Sequence, residues 1–137
     1  MLEGRKWRKN AGASASALMD LQAIAPLAIP PQLLNLLRHS NGGEGPIPVQ
    51  PWWFQLYPAE EISRIEEGGA FKEFFGEFFV FGDNGGGEAM ALDLRQTATL
   101  SVICFDMTNI DLAESVLPIA TNFDEFVEMV GVEGEQS

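Results

Sequence analysis

The segment Phe78-Phe-Val-Phe-Gly-Asp-Asn-Gly-Gly-Gly-Glu-Ala-Met-Ala-Leu-Asp-Leu94 constrains the fold of this chain most. Two apolar runs flank a turn made almost wholly of Asp, Asn and Gly. Such residues enter positive φ at little cost, as a tight hairpin requires. The pattern predicts antiparallel strands over 77–82 and 88–94. Another apolar run predicts a third strand over 99–105, completing a meander. A second glycine cluster, Asn41-Gly-Gly-Glu-Gly45, follows the apolar run Leu33 to Leu37. Turn and cap roles fall to Asn41, Gly42, Gly43, Gly82, Asn84, Gly85, Gly86, Gly87 and Asn122.

Helical spacing of Leu18, Leu21, Ile24 and Ala25 predicts a short first helix, closed by Pro26. Pro30-Pro31 opens a second helix with Leu33, Leu34, Leu36 and Leu37 on its apolar face. Asn41 or Gly42 is expected to end it in a left-handed cap. His39, the only histidine, falls in its last turn, where a protonated imidazole would suit the helix dipole. Pro46, Pro48 and Pro51 make an extended connection. Trp52 to Tyr57 reads as a strand, with Trp52, Phe54 and Leu56 on one face and Trp53, Gln55 and Tyr57 on the other. Pro58-Ala-Glu-Glu-Ile62 starts a third helix that Gly68-Gly69 ends. Phe71 to Phe75 is a loop or a helical turn, and Asp106 to Pro118 a long loop or an edge strand. Asn122 caps a last helix, with Glu125 in the capping-box position. Its stripe is Phe123, Phe126, Val127 and Val130, and Gly131 ends it.

No strand–helix–strand rhythm is present, so the class is α+β. A single antiparallel or mixed sheet of about 4–6 strands is packed by N-terminal, middle and C-terminal helices. At 137 residues and 46% hydrophobic the chain suits one domain. We place it at 19–131, after a basic, Ala/Ser-rich extension (1–18) and before an acidic tail (132–137). The head resembles a signal peptide poorly, because Asp20 interrupts a weak apolar region. No run reaches the roughly 20 apolar residues of a membrane span. The single cysteine, Cys104, excludes an internal disulfide and suits the cytoplasm.

The formal net charge is −12, and from Asn10 onward 19 acids face four bases. Such a body repels phosphate backbones and attracts basic protein. Solubility alone would also account for it.

No catalytic motif is found, and no cofactor or metal is expected. Glu88 stands after Gly85-Gly86-Gly87 where a phosphate loop needs Lys. Asp83, Glu88 and Asp93 lack the spacing of a calcium loop. They indicate no substrate for an acid-dependent enzyme either. One His and one Cys cannot build a zinc site. Cys104, inside Val102-Ile-Cys-Phe105, reads as a buried inert thiol. Glu60/Glu61 and Glu66/Glu67 read as solvated helix faces. Of the two adjacent tryptophans at most one should be core. Trp53 and Tyr57 are therefore candidate partner contacts, with Glu44, Glu60, Glu61, Asp83 and Glu88 as an acidic rim. The competing reading is that both aromatics are covered within the chain.

Six ordered pieces carry a family resemblance. They are Ile29-Pro-Pro-Gln-Leu-Leu-Asn-Leu-Leu37 running into Asn41-Gly-Gly-Glu-Gly45, then Leu56-Tyr-Pro-Ala-Glu-Glu-Ile62. After these come Val80-Phe-Gly-Asp-Asn-Gly-Gly-Gly-Glu88 with Ala91-Leu-Asp93, and Ile119-Ala-Thr-Asn-Phe-Asp-Glu-Phe126. Over roughly 19–130 the chain resembles the SUKH superfamily, which includes fungal cell-wall-synthesis regulators and many bacterial immunity proteins. The resemblance implies an antiparallel sheet packed by helices, and a binding protein rather than an enzyme. Bacterial relatives neutralise toxins, often nucleases, by direct association in the cytoplasm. The expected partner is thus a basic toxin domain, with no nucleic acid or membrane, and the chain a monomer or weak homodimer. The alternative is a regulatory or scaffold module with an endogenous protein partner. The basic head before Met19 departs from the family pattern.

Overall fold

Alternation along the meander decides which face of the sheet is buried against helices. The computed structural model describes residues 1–96 and 98–134. Among them, seven strands pair antiparallel in chain order: β1 (Arg8–Lys9), β2 (Gly43–Pro46), β3 (Trp53–Leu56), β4 (Phe78–Asp83), β5 (Glu88–Asp93), β6 (Val102–Asp106) and β7 (Val116–Ala120). The helices are α1 (Ala15–Ile24), α2 (Pro31–His39), α3 (Ala59–Gly68), α4 (Lys72–Phe75), α5 (Leu112–Ser115) and α6 (Phe123–Met129). The class is α+β with one antiparallel sheet, as expected.

The inner face carries Phe54, Leu56, Phe79, Phe81, Met90, Leu92 and Cys104. These pack with Leu21 of α1, Leu33 and Leu37 of α2, Ile62 of α3 and Phe126 of α6. The outer face carries Phe78, Val80, Ala89, Ala91, Ile103 and Phe105, covered by Phe75 and by half-buried Phe71 and Leu112. Phe75 and Phe105 stack with centroids 4.3 Å apart and planes within 6°. These covering groups come from α4, α5 and the connection before α4, and they lie over β4 to β7. No residue of β1 or β2 belongs to this second cluster.

A register shift between Val80 and Gly82 interrupts the β4–β5 ladder. Phe79 and Phe81 both face inward. Beyond the bulge Asp83 pairs with Gln55 and Ala89, on the outer face. The extra residue thus re-aims one carboxylate.

Several expectations are corrected. Helix α1 starts at Ala15, ahead of the apolar spacing that begins at Leu18, because the Ser14 hydroxyl accepts the Ala17 amide at 3.1 Å. Residues 1–18 also supply β1. The second helix ends at His39, with Ser40 extended at φ −148°. Gly42 (φ +95°) and Gly43 (φ +117°) open β2 instead of capping α2. Burial first, then the charges of Lys9 and the N-terminus, lower the His39 pKa, so its expected protonated role at the helix end is disfavoured. Trp52 lies outside the strand, at φ +72°. Seven strands exceed the expected number because β1 has two residues and β2 reads Gly-Glu-Gly-Pro. Neither carries a period-two apolar signal.

Other segments follow their expectation. Gly69 ends α3 at φ +64°. Phe71 to Phe75 resolves into the helical turn α4. Asp106 to Pro118 holds α5 and the start of edge strand β7, whose central Pro118 is exposed. The Asn122 side chain accepts the Glu125 amide at 2.8 Å as expected, but the Glu125 carboxylate accepts from the Thr121 hydroxyl at 2.7 Å, so the reciprocal half of the expected capping box is replaced. Among the described residues no helix is long and apolar enough to cross a membrane.

Candidate functional site

Antiparallel register lines up one row across the sheet: Arg8, Glu44, Gln55, Asp83 and Ala89. Alternation puts Trp53 and Tyr57 on the same outer face of the β3 segment. Trp53 is 39% exposed, and its indole N–H donates to Glu44 Oε1 at 3.2 Å. Arg8 stands 3.9 Å from the other Glu44 oxygen. Tyr57 is half-buried, and its hydroxyl donates to Asp83 Oδ2 at 2.8 Å. Burial, and after it the Asp83 hydrogen bond and charge, push the phenol well above its usual range. Tyr57 therefore stays a neutral donor.

Two glycines permit this arrangement. At Gly82 a Cβ would strike the Gln55 carbonyl and sit 2.8 Å from the Phe54 ring, so β3 and β4 could not approach. Gly85 takes φ +79° in the hairpin, and its amide donates to Asp83 Oδ1 at 2.8 Å.

The predicted rim divides. Glu44 and Asp83 join Trp53 and Tyr57. Glu88 lies on the inner-face side, accepting from Asn84 Nδ2 at 3.3 Å and from the Cys104 thiol at 3.6 Å. Glu60 and Glu61 sit on α3, which packs against the inner face. Glu61 pairs with Arg64, and Glu60 accepts from Asn41 Nδ2 at 2.8 Å.

Asn41 does more than turn the chain. Its Oδ1 accepts the Ala59 amide at 2.7 Å, capping α3 from a distant segment. Pro58, the residue before α3, provides no side-chain cap. The same asparagine holds the Glu60 carboxyl below the usual range. Asn41→Ala should cost about 1–2 kcal/mol in urea unfolding. A lowered folded-state pKa contributes stability above the unfolded Glu pKa, and that contribution fades as pH falls through the lowered folded value. The deficit of the variant should therefore be larger at pH 7 than at pH 3.

Cys104 is fully buried. Burial first, then the Glu88 charge, push its thiol pKa up to about 12. Alkylation by iodoacetamide at pH 8 should be slower than in denaturant by about 100-fold or more. Rapid native-state labelling would contradict an inert thiol.

The N-terminal segment adds the edge strand beside β2 and packs on the inner face, and sequence reasoning missed it. The Arg5 guanidinium donates to the Val127 carbonyl and, at 3.1 Å, to that of Val130, at the C-terminal end of α6. The Lys6 amide donates to the Gly131 carbonyl at 2.9 Å. Trp7 packs on Phe54, with centroids 5.7 Å apart, and donates to Ser40 Oγ at 3.2 Å. Lys6, Arg8, Glu44, Gly45, Pro46, Trp53 and Glu133 line an open groove of about 380 Å³. The available signal was charge: four bases in nine residues ahead of an acidic body.

Among the described residues no three His, Cys, Asp or Glu side chains cluster as metal ligands. A search of curated proteins gives no match. The family model described as "SMI1 / KNR4 family (SUKH-1)" matches residues 12–129, which include all six helices and every strand except β1. That span exceeds four fifths of the sequence and encloses both glycine clusters, the bulge and the capped last helix: the chain belongs to the SMI1 / KNR4 family (SUKH-1).

Proposed function

We propose that this domain is a non-catalytic protein-binding module of the immunity type, neutralising a cationic, nuclease-type toxin by direct association in the cytoplasm. Family membership is consistent with immunity and regulatory roles and with protein–protein interaction in general. The observation that carries the reading is Trp53: a large aromatic, 39% exposed, beside Glu44 on the uncovered half of the sheet. Exposed tryptophan is a typical interface anchor, and a net charge of −12 steers a basic partner toward the surface.

Steering and anchoring are separable. Long-range attraction can lift association toward about 10⁸ M⁻¹s⁻¹ at low salt. Exposed ion pairs add only about 0–1 kcal/mol each, so lasting affinity rests on the aromatic anchor. Raising salt from about 0.05 to 0.5 M should slow association at least tenfold while dissociation changes less. Stopped-flow binding measures both, and a salt-indifferent association rate would reject the steering component.

Co-expression tests the role itself. Cells making the proposed cognate toxin domain should survive when the chain is present. Death in its presence, with the protein soluble, would favour a regulatory module with an endogenous partner.

A further inference from the structure

The β2 edge is shaped to receive an extended strand at very short range. A Cβ at Gly45 would strike the Lys6 carbonyl, and one at Gly43 would lie 2.6 Å from the Arg8 carbonyl and 3.0 Å from the Trp7 ring. These glycines sit in the motif Asn41-Gly-Gly-Glu-Gly45, inside the family match. The segment they accommodate, residues 5–9, of which Arg8–Lys9 form β1, lies outside it. A motif inside the family match thus forms a receptor edge, and this chain fills it with a head that lies outside that match.

The seat has a defined chemistry. Arg5 meets carbonyls at the end of α6, Lys6 reaches Glu133 at 2.8 Å, and Arg8 faces Glu44. Between them Trp7 enters a slot formed by Ser40 and Phe54. The order along the strand is basic, basic, aromatic, basic, basic. Two of the contacts are weakly held. The Lys6 and Arg8 side chains are 68% and 83% exposed, and β1 itself has two residues.

We infer that the β2 edge is a strand-addition site for an extended, basic, aromatic-bearing segment of a protein partner, with residues 5–9 as its built-in competitor. Main-chain pairing would supply affinity, and the Trp7 slot and the flanking acids would supply specificity. Displacing the head would remove Lys6 and Arg8 from the groove, leaving Glu44, Glu133 and Trp53 to face the cationic partner. The inference rests on the proposed function only in taking that partner to be basic.

The tethered head competes at an effective concentration on the order of mM, so an outside segment binds with its affinity reduced by the fraction of open edge. The probe is a fluorescent peptide with the sequence of residues 1–11. Full-length Arg5→Ala/Trp7→Ala should bind it at least tenfold more tightly than the unmodified chain, and adding Gly45→Val should abolish that gain. Lys6→Glu/Arg8→Glu, which alters only exposed side chains, should also raise binding and covers the case in which the first variant fails to fold. Folded variants that show no saturable binding to about 1 mM peptide would overturn the proposal. So would tight binding that Gly45→Val leaves untouched. An unmodified chain that is dimeric in light scattering, and monomeric as Trp7→Ala, would assign the edge to a second copy and overturn the partner assignment. Peptide failure alongside successful toxin rescue would reject the edge while leaving the immunity reading in place.

Discussion

Phe54→Ala is expected to cost about 3–5 kcal/mol of folding stability. Phe54 is fully buried at the middle of β3. Its ring meets Phe126 at 5.0 Å, Trp7 at 5.7 Å and Phe81 at 5.8 Å. One side chain therefore joins the N-terminal strand, the central sheet and α6. Truncation removes apolar contact and leaves a cavity whose walls belong to three elements that cannot collapse together. Urea unfolding measures the effect. Phe74→Ala is the internal control, because Phe74 is 52% exposed and its removal should stay within about 0.5 kcal/mol. A Phe54→Ala loss below about 1.5 kcal/mol would mean that this junction is not the mechanical centre of the core.

Trp53→Ala should weaken partner binding by about 2–4 kcal/mol, or roughly 30- to 1000-fold, while stability changes by less than about 1 kcal/mol. The separation follows from position. Trp53 neighbours Phe54 in sequence but faces the opposite side of the sheet, outside both hydrophobic clusters. Its intramolecular tie is one hydrogen bond to Glu44. Trp53→Phe should recover part of the affinity, because it restores apolar area without the N–H. Titration calorimetry with the toxin domain reads both variants. Unchanged affinity in a folded Trp53→Ala protein would place the interface on another surface.

The legible parts of the fold were those whose signal is local. The hairpin around Gly85, the Pro31 start of α2, the Gly69 stop of α3 and the Asn122 cap each depend on residues a few positions apart. The outer position of Trp53 and Tyr57 followed from strict alternation. Illegible parts depended on distant partners. Asn41 caps α3 across eighteen residues of sequence, and nothing near it in the chain reveals that role. Strand β2 pairs with β3 along its length and takes the head on its other side, which its glycines permit but do not announce. The bulge at Phe81 sets the face of Asp83, which strict alternation along β4 would turn inward. Glu88, a candidate for the same rim, lies on the other face of the sheet from Trp53, which alternation across a turn of glycines does not reveal.

Pro118 has a wider consequence. Every open sheet has two lateral ends at which unrelated chains could stack and nucleate fibres. At the β7 end the ring of Pro118 supplies no amide hydrogen, so a neighbouring strand finds an interrupted ladder. The opposite end is closed by β1, two residues whose side chains are cationic. Growth by accident is thereby discouraged on one flank, and on the other it must first evict a tethered guest.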